Sequence, residues 1–178
     1  DPLTPNTPVL LWVHGGGFTV GEGLQAGGGT SGHVLAADGD VVVVSMNYRL
    51  GALGWLSHPD LDGADGASGN LGYLDLLLAM RWVQDNIAAF GGDPDRVAVA
   101  GSSAGGLMVC MLLADPEADG LYSRAVVQSL SCTMKRGVQD GHAQGQAYAA
   151  TLGCGDAEDV AACMRAVPIE EIVEQHFG

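Results

Sequence analysis

Ser103 stands at the centre of Gly101-Ser102-Ser103-Ala104-Gly105, a G-x-S-x-G pentapeptide. A serine hydroxyl at its ordinary pKa is a poor nucleophile. It becomes a useful one where a sharp turn presents it, a base is in reach, and N–H donors face the negative charge that develops. The pentapeptide follows an apolar run that predicts a short strand, Val97 to Ala100, and opens one that predicts a helix, Ala104 to Leu113. Strand, tight turn and helix are the setting that makes this motif a nucleophile elbow; elsewhere it is an ordinary Gly-Ser loop, and the chain has 28 glycines to make such loops. The flanking glycines lack a Cβ, which opens strained backbone conformations and lets strand and helix pass close to the serine. The Ala104 N–H then lies at a helix start, facing the place where an oxyanion forms.

A second stretch supplies further donors. His14-Gly15-Gly16-Gly17-Phe18 follows the apolar run Val9 to His14, which reads as a buried parallel strand. Consecutive glycines after a strand leave N–H groups that an anionic oxygen can approach closely. In hydrolases with a nucleophile elbow, an H-G-G-G loop at this point completes the oxyanion hole. Gly16 and Gly17 are therefore expected to donate beside Ala104, against the alternative of a flexible glycine-rich hairpin. The nearby Gly21-x-Gly23-x-x-Ala26 matches part of a dinucleotide fingerprint, but it sits well past the end of the strand and reads as chance.

A serine nucleophile also needs a histidine base and an orienting carboxylate, which in elbow hydrolases follow the serine in the order acid, then His. Only His142 and His176 lie downstream. Neither follows an apolar strand, and both read as surface histidines of a helical tail, so the base and the acid are expected beyond residue 178.

The elements that must position these residues are legible as a pattern. Gly32 to Ala37 predicts a short helix, and Val41 to Met46 a second buried strand rich in β-branched residues. Asn47-Tyr48-Arg49 follows, and an arginine at the end of a buried strand needs a partner, expected to be Asp75. His58 to Gly66 has carboxylates without the spacing of a calcium loop and reads as an exposed loop. From Gly72 to Phe90, Leu74, Leu77, Leu78, Trp82 and Ile87 recur near helical spacing, predicting a long helix that Gly91-Gly92-Asp93-Pro94 stops. Ala125 to Gln128 predicts a fourth strand, and Gly137 to Gly178 two or three helices. Strands alternating with helices predict an α/β protein with a doubly wound, mostly parallel sheet and its chemistry at the carboxyl ends of the strands.

Composition narrows the partners. Hydrophobic residues make up 47% and charged residues 16%, which excludes a disordered chain. Seven Lys and Arg against 21 Asp and Glu leave a formal charge of −14, which argues against nucleic acid and anionic membrane surfaces. The apolar runs are too short to span a bilayer. Asp1 to Pro8 reads as a loop entering a strand, so the chain is expected to begin inside a larger protein. Cys154 and Cys163 flank an acidic turn, and a bridge between them would contribute about 2–3 kcal/mol. It would favour an oxidising compartment, extracellular or periplasmic. Cys110 reads as a buried small apolar residue, and Cys132 has no assignment. With neither C-x-x-C nor H-E-x-x-H, no metal or cofactor is expected.

Taken together, Phe90 to Gly105, His14 to Phe18, Asn47-Tyr48-Arg49, Gly69-Asn70-Leu71-Gly72 and Asp85-Asn86-Ile87 resemble, in the same order, the motifs of the type-B carboxylesterases, the family of cholinesterases, bacterial carboxylesterases and fungal lipases. The resemblance covers nearly the whole chain. It implies an α/β-hydrolase fold of which residues 1–178 are a central part, with a helical segment from about residue 137. It also implies a disulfide between Cys154 and Cys163, and a carboxylic-ester hydrolase working through Ser103 and an acyl-enzyme on small-molecule esters. Two residues depart from the family pattern: Ser102 stands where Glu is usual before the nucleophile, and Leu130 where Gly is usual after Gln-Ser. The alternatives are a catalytically silent, cholinesterase-like binding module, or an inactive truncated fragment whose sheet edges are uncovered. Oligomeric state is not encoded in these motifs.

Overall fold

Apolar residues dominate V-L-L-W-V, and their Cβ atoms alternate between the two faces of a strand, so the run forms a strand with Val9, Leu11 and Val13 buried on one face. The computed structural model describes residues 6–24, 32–64, 68–134 and 136–175. In chain order these form β1 (Thr7–Val13), α1 (His33–Asp38), β2 (Val42–Ser45), α2 (Gly51–Trp55), α3 (Leu71–Asn86), β3 (Gly92–Ser102), α4 (Ala104–Ala114), β4 (Arg124–Gln128), α5 (Val138–Thr151), α6 (Val160–Ala166) and α7 (Ile169–Glu174). Single 3₁₀ turns lie at Pro59–Leu61, Ile87–Phe90 and Pro116–Ala118.

The chain divides into two compact units, residues 1–48 with 73–133, and residues 49–72 with 134–178. The first holds a sheet of four parallel strands in the order β2-β1-β3-β4. Strands β1 and β3 are its centre, and Val13 lies opposite Gly101 in their register. The segments leaving those two residues therefore emerge side by side at the carboxyl edge. Strand β2, expected to be buried, lies at the edge of the described sheet and its valines are only half buried. Apolar composition fixes the strand state, while position in the sheet sets burial.

Helix α3 corrects the predicted core face. Leu76, Leu77, Met80, Val83 and Ile87 are buried, whereas Leu74, Leu78 and Trp82 are exposed. Apolar residues occupy both faces of this helix, so periodicity alone does not choose between them. Gly91 ends the 3₁₀ turn that follows, at φ +81°. Helix α4 buries seven of its eleven residues, Met108, Val109 and Leu112 among them.

Cys110 is buried as expected, but it is not a free thiol: it is bridged to Cys132. The bridge ties α4 to the segment after β4 across a sequence separation of 22 residues, which in the chain-entropy account is worth about 3 kcal/mol. Replacing both cysteines by alanine is expected to lower the unfolding free energy by about that amount. Urea unfolding of the oxidised protein against the double variant measures it.

In the second unit, Ala149, Cys154, Val160 and Met164 form a small core against which Leu56, Leu61, Leu152 and Val167 pack. Cys154 and Cys163 are bridged, and Asp159 caps α6 by accepting from the Ala162 N–H at 2.8 Å. The stretch read as an exposed loop is partly interior. His58 is buried, and its N–H donates to Ser68 Oγ, which in turn donates to Asp62 Oδ1 at 2.5 Å. His142 is not a free surface histidine: its Nε2 lies 3.2 Å from the same carboxylate. His176 lies outside the described residues.

The Ser68 hydroxyl, with help from His142, holds the Asp62 carboxyl below its ordinary pKa. A depressed folded-state pKa stabilises above the unfolded value of about 4 and is lost as pH falls through the folded one. Unfolding midpoints measured between pH 6 and pH 3 are therefore expected to fall with acid, and less steeply in Asp62→Asn.

Candidate active site

Ser103 adopts φ +54° and ψ −122°, a conformation that side-chain-bearing residues rarely take. Such strain costs on the order of 1–3 kcal/mol and persists only where the surroundings enforce it. They do so here from three sides. The Ser103 N–H donates to Gln128 O of β4 at 2.9 Å, and Ser103 O accepts the first helical bond, from the Leu107 N–H at 3.0 Å. The flanking glycines complete the constraint: a Cβ at Gly101 would stand 2.3 Å from Gly105 O, and one at Gly105 would stand 2.2 Å from Val13 O. The turn exists because neither Gly101 nor Gly105 carries a side chain. Ser103 itself is partly exposed, at the start of α4, where the first N–H groups have no intrahelical partner.

The glycine loop meets this elbow. A Cβ at Gly15 would lie 2.8 Å from Ser102 O and 3.2 Å from the Ser103 Cβ, so the backbone after β1 runs directly against the serine. Gly16 and Gly17 have φ of +117° and +62°. Gly16 O accepts from the N–H groups of Thr19 and Val20, both at 3.1 Å, and a Cβ at Gly16 would overlap Val20 O at 2.0 Å. That carbonyl is tied back into the loop. In a trans peptide the following N–H, that of Gly17, points the opposite way.

Behind the loop, His14 and Tyr48 are both buried and stack face to face, ring centroids 4.3 Å apart at 15°. The Tyr48 hydroxyl donates to His14 O at 2.8 Å, and His14 Nδ1 lies 2.7 Å from Gly15 O. Burial pushes the Tyr48 pKa up to about 12, which keeps the phenol a donor. Gly21 and Gly23 pack beneath: a Cβ at Gly21 would stand 2.5 Å from Gly15 O, and the Gly23 N–H donates to Asn47 Oδ1 at 2.7 Å. These glycines give the loop room to fold back, and Ala26 of the partial fingerprint lies outside the described residues.

Ser103, Gly16, Gly17 and Ala104 thus belong to one unit and to two adjacent strand ends. Arg49 is exposed, with Nη2 donating to Leu71 O at 3.3 Å inside the second unit. Sequence reasoning missed Tyr48, Gln128 and the Cys110–Cys132 bridge. Among the described residues no group of three or more His, Cys, Asp or Glu side chains is arranged to hold a metal, and no helix is long and apolar enough to cross a membrane.

A parallel sheet with a serine elbow between its central strand and the helix that follows is the heart of an α/β-hydrolase, and the solved structures this chain resembles have that fold. The profile described as "Carboxylesterase family" matches residues 2–177. The chain belongs to that family. It is 47% identical over 129 residues to the para-nitrobenzyl esterase of Bacillus subtilis (strain 168), covering 72% of this chain and 26% of that protein. It is 43% identical over 176 residues to human carboxylesterase 3, covering 97% of this chain and 29% of that protein. The crystal structure of a Geobacillus stearothermophilus carboxylesterase superposes with a TM-score of 0.85 at 42% identity, over 95% of this chain and 36% of the other. The chain therefore spans roughly a quarter to a third of the relatives it matches.

Proposed function

We propose that these residues carry the nucleophile and the oxyanion donors of a serine carboxylic-ester hydrolase. Ser103 Oγ attacks the ester carbonyl as a histidine takes its proton. The N–H groups of Gly16, Gly17 and Ala104 hold the tetrahedral oxyanion, each worth roughly 3–4 kcal/mol in the transition state. Collapse expels the alcohol, protonated by the same histidine, and leaves an acyl-enzyme. Water then attacks the acyl carbonyl and releases the acid. A base held by an orienting acid is needed for turnover, so the chain of residues 1–178 by itself is expected to turn over esters negligibly.

The observation that carries this reading is the strained backbone of Ser103, held against the glycine loop that follows β1. Family membership and esterase relatives support ester hydrolysis and small-molecule esters as substrates. A silent binding module would have no use for a serine kept in a costly conformation, and glycine at 103 would be the cheaper residue. The test is a fluorophosphonate probe together with p-nitrophenyl ester turnover, applied to the complete polypeptide. Labelling at Ser103 with turnover supports the reading. No labelling, or labelling that survives Ser103→Ala, overturns it. Turnover by residues 1–178 alone at the level of ordinary esterases would make His142 or His176 the base.

A further inference from the structure

The carboxyl end of β1 contains a residue that packing does not explain. His14 is 3% exposed, and its Nε2 has no hydrogen-bond partner among the described residues. Leaving a buried polar atom unpaired is costly, and native structures rarely do so without a reason. A phenyl ring would stack on Tyr48 as well and bring no second nitrogen to be left unpaired. The imidazole is therefore to be explained by its other nitrogen.

Nδ1 lies 2.7 Å from Gly15 O, and a carbonyl oxygen only accepts, so Nδ1 carries the proton and donates. Holding that oxygen orients a whole peptide plane. The Gly15–Gly16 bond is trans, so the Gly16 N–H points away from the imidazole as firmly as the Gly15 carbonyl points toward it. At Gly16 and Gly17, where glycine leaves φ and ψ unconstrained by a side chain, the plane would otherwise be free to turn. The next plane is secured by the Thr19 and Val20 N–H groups on Gly16 O.

Tyr48 secures the imidazole in turn. It comes from the segment after β2, the strand beside β1, and it grips the same residue twice, by its ring and by its hydroxyl on His14 O. Glycine is required around this clamp: a Cβ at Gly21 would stand 2.5 Å from Nδ1, and one at Gly105 would stand 2.6 Å from His14 O.

We propose that His14 and Tyr48 are positioning residues that aim the Gly16 N–H at the developing oxyanion, His14 through the Gly15 carbonyl and Tyr48 through its grip on His14. The inference rests on the ester-hydrolase reading above. It extends that reading by naming what holds the donor in place.

The experiment compares wild type, His14→Phe and Tyr48→Phe in the complete polypeptide. The measurements are kcat and KM for p-nitrophenyl butyrate, affinity for an aryl trifluoromethyl ketone that forms a tetrahedral adduct with serine, and thermal midpoint. His14→Phe keeps the stacked ring and removes the donor. Its kcat and its ketone affinity are expected to fall together by about tenfold, the effect of one hydrogen bond realised in the transition state. KM stays within about twofold, the signature of an interaction absent from the ground state. The thermal midpoint changes little, because the unpaired Nε2 and the donor to Gly15 O are lost together. Tyr48→Phe shows the same pattern more weakly, and it keeps the test available if the first variant folds poorly.

Unchanged kcat and ketone affinity in both variants would overturn the inference. So would a rise in KM that parallels the loss of ketone affinity, which marks general damage to the site. Wild-type labelling by fluorophosphonate, abolished in Ser103→Ala, separates the two levels: where that control fails, the ester-hydrolase reading falls and takes this inference with it, and where it holds while His14→Phe is silent, only the clamp is wrong.

Discussion

Ser103→Ala is expected to lower kcat/KM for a p-nitrophenyl ester by a factor of about 10⁴–10⁶ and to leave stability nearly unchanged. Loss of the nucleophile in serine hydrolases removes nearly all catalysis beyond what the oxyanion donors and binding supply. Alanine keeps the Cβ, and with it the strain of φ +54°. Ser103→Gly separates the two effects. It is equally inactive, but it relieves on the order of 1–3 kcal/mol of backbone strain. Against that stands about 0.5–1 kcal/mol for the greater freedom of glycine in the unfolded chain. The balance favours the glycine variant, so its urea midpoint should lie above that of Ser103→Ala. Residual turnover in either variant above about a thousandth of wild type would mean that another group attacks the ester. Equal midpoints would mean that the serine conformation is relaxed, removing the observation on which the assignment rests.

The second large effect is on folding. At an open helical position Gly→Ala gains about 1 kcal/mol in propensity. At Gly105 the sign reverses, because the new methyl would stand 2.2 Å from Val13 O and 2.6 Å from His14 O, both backbone atoms that cannot move without displacing β1. Overpacking a tight interior costs 1–3 kcal/mol and more where backbone must shift, so Gly105→Ala should destabilise by roughly 3 kcal/mol. Gly120→Ala is the control: nothing lies within 4 Å of its Cβ, although its φ of +82° carries its own strain of about 1 kcal/mol. Denaturant unfolding of the pair measures the difference. A Gly105→Ala protein as stable as the control would show that α4 does not lie against the end of β1 as described.

The two predictions share a cause. The same absence of side chains at 101 and 105 that lets α4 approach β1 also lets Ser103 take its strained turn. Stability is given up at one residue to present one hydroxyl, in line with the recurrent conflict between stable and active arrangements.

Much of this was legible in the residue order. The four strands and the nucleophile helix lie within a few residues of the positions their apolar runs predict, except that β3 extends back to Gly92. The elbow was readable because its demands are local: a turn of that kind needs glycine on both sides of the serine, and no packing partner is required to see it. The family was readable because several such local motifs recur in one order. The Cys154–Cys163 bridge closes a short loop and was equally near to hand.

What tertiary structure decided is non-local. Strand order places β3 beside β1, although β2 and α3 separate them in the chain, and only that pairing sets Val13 opposite Gly101 and brings the glycine loop to Ser103. The face of α3 that is buried, the joining of Cys110 to Cys132, and the stacking of Tyr48 on His14 are of the same kind. Hydrophobic period and turn chemistry act between residues a few positions apart, so they are written in the sequence itself. Which strand pairs with which depends on burying distant surfaces together, and that choice exists only once the chain has folded.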